Sequence, residues 1–514
     1  MSGIIKLGTR RSLLAWAQSS WVAHEIERVN HGTSVELVGI ETRGDRVLDV
    51  SLQNIEGKEF FVAELDDALR SGQVDLTVHS MKDLSLDRPA EFFLAAIPPR
   101  ENPRDVVLFG PGAQEKLRTG GILRIGTSSP RRLENIPSFL ERAIPGRPRL
   151  EFLEIRGNVN SRLARVHEDR DSGRYLDAVV LAFAGMIRLW NDQKGREELI
   201  QLLGGVRWMV LPLRECPAAP AQGALAVECR KNDSRIREML GKLNHSESAE
   251  HVAVERKLLA EWGGGCHQRF GATSIAFGAS ALFFVRGMKP DGKSVDELRW
   301  DLPISTPSLP IVPWDGTVWR QETASEPLPG PFEAATSADG AQAAFVAHSR
   351  ALPLDWEGVF GTGGAVRIWT SGTASWFRLA ERGVWVEGCA EGLGFEGLLP
   401  TLGEPVLRLP LLNDWTILTH RAAVEGWSVG KVVPTYWLVP EKDSQTMAKK
   451  RESVQAATHL YWSSGSQFEE LRGWAREDGH HACGPGKTAQ VLRSRGLKPE
   501  IFPSVKEWRE WLGR

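Results

Sequence analysis

Strand-like and helix-like segments alternate through the first 230 residues, and this alternation restricts the fold more than any other feature of the chain. IIKLGT predicts a strand, and SLLAWAQSSWVAHEIERV a helix with apolar residues at helical spacing. VELVGIET is the next strand. FFVAELDDALRSG is a helix closed by Gly72, a C-cap glycine. DLTVHS is a strand that runs straight into Met81-Lys82-Asp83. RIGTSS turns into the helix PRRLENIPSFLERA, with Ser129 as N-cap and Pro130 as first helical residue. LEFLEIRG and AVVLAFAG are further buried strands, each followed by a polar helix. The pattern predicts an α/β protein.

At 514 residues the chain exceeds one ordinary core. Residues 1–230 form the α/β region just described, and 231–302 a smaller domain. The latter holds a helix (SAEHVAVERKLLAEW), the loop Gly263-Gly264-Gly265-Cys266, and two strand candidates, ATSIAFGA and LFFVRGM. Residues 303–330, rich in Pro, Ser, Thr and Gly, read as a linker. Short strands and helices resume in 331–514 (VRIWTS, WTILTH, HLYWSS), which predicts a further α/β unit.

A formal net charge of −2 supplies no global field to recruit nucleic acid or an anionic membrane, so any anion site must come from local clustering of arginine. No apolar run approaches the ~20 residues that span a bilayer. The five cysteines include no C-x-x-C pair, which disfavours a disulfide framework or cysteine-rich zinc site and fits a reducing cytoplasm. Arg10-Arg11-Ser12-Leu13-Leu14 imitates a twin-arginine export signal, but Gln18, Ser19 and Ser20 break the apolar stretch behind it. Gly484-Pro485-Gly486-Lys487-Thr488 imitates the end of a P-loop, yet His481 stands where that pattern needs glycine. His480-His481 has no ligand partner at metal spacing, so no metal site is expected.

Three groups of residues could carry chemistry. Arg10 and Arg11 follow a strand, Arg131 and Arg132 occupy a helix's first turn, and Arg156 and Arg162 follow another strand. Strand ends of an open α/β sheet converge on one crevice. Arginines at a helix start oppose the macrodipole, and make sense there if they hold carboxylates beside free backbone N–H groups; otherwise they are solvated surface charges. His79-Ser80-Met81-Lys82-Asp83 ends a hydrophobic strand, where the carboxylate could act as a general acid or hold a developing cation, or form a structural salt bridge with the lysine. Cys266, flanked by glycines, is open to approach by a large group and is either a nucleophile or an inert loop thiol.

Taken together, GTRRSLLA (8–15), ETRGD (41–45), HSMKDL (79–84), GTSSPRR (126–132), RGNVNSRL (156–163), LAFAGMIRL (181–189), QGALAVECR (222–230) and GGGCH (263–267) resemble, in order, the motifs of the hydroxymethylbilane synthase (porphobilinogen deaminase) family. The resemblance covers roughly residues 4–300. It implies two lobes like those of periplasmic binding proteins within 1–230, and a third, small α/β domain that carries the cofactor cysteine. It implies a dipyrromethane cofactor in thioether linkage to Cys266, and Asp83 as the catalytic aspartate beside pyrrole nitrogens. Lys82, Ser128, Ser129, Arg131 and Arg132 would bind the cofactor, and Arg10, Arg11, Ser12, Arg156, Arg162 and Arg188 the acetate and propionate groups of the growing chain. Four porphobilinogen units, each deaminated to an electrophilic azafulvene, would extend the primer in haem biosynthesis. The implied enzyme is a cytoplasmic, monomeric transferase. Leu13, Ala63, Leu84, Ser85 and the PAQGA segment depart from the family's usual residues, none at a catalytic position.

The last region, 331–514, resembles uroporphyrinogen-III synthase, the next enzyme of the pathway, a lyase; the chain would then be multifunctional. FEAATSADGAQAAF (332–345) and THLYWSSGSQFEELRGW (458–474) resemble strand-to-helix segments of that family, and ACGPGKTAQVLRSRGLKPEIFPS (482–504) its closing unit. Hydroxyls of Thr336, Ser337, Ser463, Ser464 and Thr488 could meet substrate carboxylates. The family's opening strand is not found before residue 331. A non-catalytic tail is one alternative, and a two-lobed receptor for an organic polyanion is another, which would have no need of Cys266.

Overall fold

The computed structural model describes residues 4–42, 62–265, 268–278, 280–300, 310–316, 324–330, 332–337, 342–357, 366–439 and 442–513. The chain divides into two compact units, Met1–Asp301 and Leu302–Arg514.

In the first unit, β1 (Ile4–Arg10), β2 (Ser34–Ile40), β3 (Leu76–Ser80) and β4 (Phe92–Ala96) share a sheet with β10 (Leu225–Arg230), in the order β2-β1-β3-β10-β4. The first three are parallel, and β10 runs antiparallel to both its neighbours. Helices α1 (Leu13–Val29) and α2 (Ala63–Arg70) belong to this lobe. Val22, Ala23 and Ile26 of α1 close over Ile5, Leu7, Leu76, Val78 and Val227. Gly72 follows α2 at φ +77, the left-handed position expected of a C-cap glycine.

The second lobe is a sheet of β5 (Asp105–Phe109), β6 (Leu123–Gly126), β7 (Leu150–Leu153), β8 (Ala178–Ala182) and β9 (Arg207–Val210), ordered β7-β6-β8-β5-β9. Its helices are α3 (Ala113–Thr119), α4 (Pro130–Ala143), α5 (Val159–Ala164), α6 (Phe183–Asn191) and α7 (Gln193–Leu202). The chain passes between the lobes twice, from β4 to β5 and from β9 back to β10. Both passages bring loop residues to the junction. Contrary to the sequence reading, the helix after AVVLAFAG is not polar: α6 buries Phe183, Ala184, Met186, Ile187 and Leu189. Part of the reason is its position, since Gly185 of α6 faces Leu14 of α1 in the other lobe.

Past α8 (Ser234–Gly241), the long helix α9 (Ser246–Glu261) packs on an antiparallel sheet of β11 (Phe270–Phe277), β12 (Ser280–Met288) and β13 (Ser294–Trp300). Leu258 and Leu259 of α9 meet Phe270, Ala272, Phe283, Val285 and Val295 in one core. Strand β13 went unforeseen because its sequence, SVDELRW, offers the core little beyond Val295.

The second unit contains two sheets. One joins β14 (Pro313–Asp315) to β21 (His459–Trp462), β22 (His480–Cys483) and β23 (Glu500–Ile501), all parallel. The other orders β15 (Ser325–Pro327), β16 (Ala343–Val346), β17 (Arg367–Thr370), β18 (Gly388–Cys389), β19 (Trp415–His420) and β20 (Lys431–Leu438) as β15-β20-β19-β16-β17-β18. Its helices among the described residues are α10 (Thr373–Glu381), α11 (Leu399–Leu402), α12 (Ser444–Ala456), α13 (Gly465–Leu471), α14 (Lys487–Ser494) and α15 (Val505–Trp511). The unit's first strand thus lies in the sheet of its last three, β15 to β20 between them form the other sheet, and Val454 of α12 packs back into the core of the first. Trp369, Trp376, Trp415, Trp462 and Trp508 of this unit are among the largest fully buried side chains.

Two sequence expectations change here. The stretch 303–330 is not all linker, since β14 and β15 lie in it. Both are three-residue edge strands, where proline is tolerated, so Pro313 and Pro327 gave them the composition of a loop. Among its described residues the segment 332–345 holds no strand leading into a helix: 332–337 has no regular structure, and Ala343–Val346 is a strand buried on both faces between β17 and β19. Its Ala-rich sequence shows no alternation because neither face meets solvent. The other two strand-to-helix segments do form, as β21 into α13 and β22 into α14.

Candidate active site

Strand β3 delivers the HSMKD segment to the junction of the first two lobes. Met81–Asp83 is a single 3-10 turn, whose Met81 amide donates to the Ala224 carbonyl. Met81 and Leu84 are buried, Lys82 is half-buried and Asp83 is exposed. The turn thus buries its apolar residues and leaves the carboxylate exposed.

Lys82 Nζ donates to Gln222 Oε1 at 3.3 Å. The Gln222 amide in turn donates to the Pro103 carbonyl at 2.7 Å and to Asp105 Oδ1 at 2.9 Å. Asp105, wholly buried at the start of β5, receives Arg131 Nη1 and Arg132 Nη2, each at 2.7 Å. Burial alone would raise the Asp105 carboxyl, but the two guanidiniums overcome it and hold the group well below the usual carboxylate range. Two cations thus share one anion, leaving an excess of positive charge. The Nε atoms of both arginines are buried with no partner.

More cation surrounds this pair. Burial lowers the Lys82 ammonium, partly offset by Asp83, with Arg132 adding repulsion. Burial, then the charges of Arg132 and Arg156, lower Arg162 to about 10, with Asp83 pulling the other way. Lys82, Asp83, Arg131, Arg132, Arg156 and Arg162 therefore lie within one electrostatic neighbourhood. Arg156 also bonds Glu154 at 2.9 Å, and Arg162 Nε donates to the Gly157 carbonyl at 2.7 Å.

The remaining expected site residues divide. Ser128 Oγ bonds the Ile155 backbone in both directions, at 2.6 and 3.0 Å, and so ties the end of β6 to the segment before Arg156. Ser129 stands at the N-cap of α4, but its hydroxyl makes no capping bond. Ser12 caps α1 instead, accepting from the Ala15 amide. Arg10 ends β1 half-buried, near enough to His79 to repel its proton. Arg11 is exposed beside Gly39, and no contact ties it to the Asp105 group. Arg188 Nη2 bonds the Gly223 carbonyl at 2.6 Å in the second passage between lobes, and burial lowers it to about 10. Cys266, like Arg43, Gly44 and Asp45 of the ETRGD motif, lies outside the described residues. Cys216, Cys229, Cys389 and Cys483 are buried.

Sequence reasoning missed three supporting groups. Gln222 sits inside a motif that was recognised, but its task was invisible without the junction. Asp105 left a faint signal, a lone acid opening the apolar run DVVLF. Behind the turn, Arg88 bonds Asp66 (2.7 Å) and Glu228 (2.7 Å), with His79 Nε2 at 3.5 Å from Glu228. Asp66, His79 and Glu228 are the described acid–histidine cluster with metal-like spacing, yet the Arg88 guanidinium already supplies their cation. Burial, then the charge of Arg88, lower His79 to about 4, so it is neutral at pH 7.

A junction with more buried cations than anions, on a two-lobed α/β scaffold, defines an enzyme or receptor for a polyanion. Comparison with known proteins decides between them. Residues 5–238 match the family model described as porphobilinogen deaminase, dipyromethane cofactor binding domain. The porphobilinogen deaminase of Shouchella clausii is 40% identical over 294 residues, covering 57% of this chain and 86% of that protein. That of Trichlorobacter lovleyi is 38% identical over 289 residues (56% and 84%), and the chloroplastic enzyme of Euglena gracilis 35% identical over 357 residues (68% of each). The chain belongs to the porphobilinogen deaminase family. It is a transferase of tetrapyrrole synthesis, and its cofactor is dipyrromethane. The partnerless Nε atoms of Arg131 and Arg132 and the cationic surplus around Asp105 fit such a carboxylate-bearing group. No helix among the described residues is long and apolar enough to cross a membrane.

Proposed function

We propose that the first unit joins four porphobilinogen molecules, with loss of ammonia, onto a dipyrromethane held by Cys266, and that the second unit is a uroporphyrinogen-III synthase that closes the product. The observation that carries the first part is the Lys82–Gln222–Asp105 chain of contacts, which gathers two arginines and a lysine beside the exposed carboxylate of Asp83. When bound, the cofactor supplies the free pyrrole carbon onto which the chain is built. The protein supplies the rest. Lys82, Ser129, Arg131 and Arg132 bind carboxylates of the cofactor, and Ser128 fixes the backbone that presents Arg156. Arg10, Arg11, Ser12, Arg156, Arg162 and Arg188 serve the acetate and propionate groups of substrate and product. Asp83 hydrogen-bonds pyrrole nitrogens and holds the positive charge that develops as ammonia departs, which a fixed carboxylate does better than water.

The second part rests on chain path. What supports it is that the unit's first strand, β14, pairs in the sheet of its last three while β15 to β20 form a separate sheet between them. At the contact between these two parts, Gly394 and Gly486 meet backbone to backbone, and Gln490 bonds Glu396.

Product isomer analysis tests both parts. Porphobilinogen alone is given to the purified chain, and the products are oxidised and separated. Type III uroporphyrin is expected; type I alone would mean that the second unit does not cyclise the bilane, and no uroporphyrin would refute the first part. Asp83→Ala is expected to keep the adduct mass on Cys266 and lose nearly all turnover; activity within about tenfold, ~1.4 kcal/mol, would remove Asp83 from the reaction.

A further inference from the structure

The turn that carries Asp83 is too short to hold itself. It is one three-residue 3-10 turn, and its internal bond runs from the Leu84 amide to the Met81 carbonyl at 3.3 Å. Carbonyls on both sides of Asp83 converge on a single side chain from elsewhere. Arg256 Nη1 donates to Met81 O at 3.2 Å and Leu84 O at 3.1 Å, and its Nη2 donates to Ser85 O at 2.9 Å. Arg256 belongs to α9, the helix that leads directly into the Gly263–Cys266 loop. The same helix supplies apolar contacts to the turn, since Val252 and Ala249 pack in one cluster with Met81 and Leu84. Leu86, two residues further on, packs against Leu258 and Leu259.

We infer that Arg256 is a positioning residue for the deaminase reaction: its guanidinium sets the orientation of Asp83 from outside the lobe that bears it, so that one helix fixes both the catalytic carboxylate and the stem of the cofactor loop. Guanidinium chemistry suits the task. Its planar fork reaches three carbonyls at once, and it stays charged when partly desolvated. A lysine in its place has a single nitrogen and cannot span the same three acceptors. The inference rests on the reading of Asp83 given above, and the test separates the two.

The experiment uses full-length protein carrying its cofactor, verified by intact mass. Arg256→Met and Arg256→Lys are compared with the parent for kcat and KM towards porphobilinogen, and Arg256→Met is repeated in an Asp83→Glu background, which keeps a carboxylate. The expected result is an adduct mass in every variant, a kcat at least ~30-fold lower in Arg256→Met with KM within ~3-fold, and an intermediate kcat in Arg256→Lys. In the Asp83→Glu background the same change should cost less than ~3-fold, because the carboxylate that Arg256 orients is already displaced. A purely structural role would give the same fold-loss in both backgrounds, and that result overturns the inference. So does a kcat of Arg256→Met within ~3-fold of the parent, or a loss that matches the fraction of chains lacking the adduct. If Arg256→Met does not fold, Arg256→Lys decides: lowered kcat with adduct present supports the inference, and parental kcat overturns it. Asp83→Asn runs in parallel, and normal turnover there would defeat the reading of Asp83 itself, whatever Arg256 does.

Discussion

Replacing Asp105 by asparagine is the sharpest single perturbation of this site. The shape of the side chain survives and its charge does not. In the parent, one wholly buried carboxylate takes Arg131 and Arg132 at 2.7 Å each and the Gln222 amide at 2.9 Å. Asparagine can still accept at one oxygen, but its amide then faces a guanidinium, donor against donor. Breaking a buried ion pair from one side costs about 3–5 kcal/mol, a large share of the roughly 5–15 kcal/mol that stabilises a typical domain. At about 2–4 °C per kcal/mol for a body of this size, the first unit should melt roughly 6–20 °C lower. Bound cofactor carboxylates would return part of the lost anion, so the drop should be larger in a Cys266→Ala background than in protein bearing the adduct. The pH dependence follows from the depressed carboxyl. Its contribution is fully present above the unfolded carboxyl's ordinary pKa of about 3.9 and is lost only as pH falls through the lower folded value. The gap between parent and variant should therefore stay constant from pH 7 down to about 4. Calorimetry of the two backgrounds at pH 5 and 7 measures all of this. A drop below about 2 °C in both would refute the claim that the arginine pair depends on Asp105.

Three further outcomes are expected. Ala221 holds φ +63 in the PAQGA segment, so Ala221→Gly relieves about 1–2 kcal/mol of left-handed strain and loses about 0.4–1 kcal/mol to unfolded-chain entropy, a net gain of up to about 1.6 kcal/mol that is read as a higher urea midpoint. His79, lowered to about 4, must gain a proton on unfolding in mild acid; stability should fall as pH drops from about 6.5 towards 4, and His79→Gln should flatten that slope in denaturant titrations. Gly486 sits at φ +84 with an added Cβ only 2.9 Å from Gly394 Cα, so Gly486→Ala should destabilise the second unit by about 1–3 kcal/mol in urea and shift uroporphyrin from type III towards type I.

What the sequence revealed and what it hid follow one division. Residues whose role depends on local chain direction were legible: α4 begins at Pro130 with its two arginines inward, β3 ends in Met81–Asp83, and Gly72 closes α2. Residues whose role depends on contact across more than a hundred positions were not. Gln222 meets Lys82 across 140 residues and Arg256 meets Met81 across 175, and nothing near either in the sequence announces it. The arginine pair is expected from the sequence to meet ligand carboxylates, and the carboxylate that it meets in the structure is the protein's own Asp105. Shortness and, for one strand, two-sided burial account for the rest: Pro313–Asp315 is a three-residue edge strand, and Ala343–Val346 is buried throughout.

The buried tryptophans of the second unit have a spectroscopic consequence. Trp16, Trp21, Trp190, Trp208, Trp262 and Trp300 are all that precede Leu302, which leaves thirteen of the chain's 19 beyond it. With only 3 tyrosines in the chain, intrinsic emission comes almost wholly from indole and is weighted about two to one towards the second unit. A fluorescence melt will therefore track that unit first, while far-ultraviolet dichroism sums both. Divergence of the two curves would measure how independently the two halves of this chain unfold.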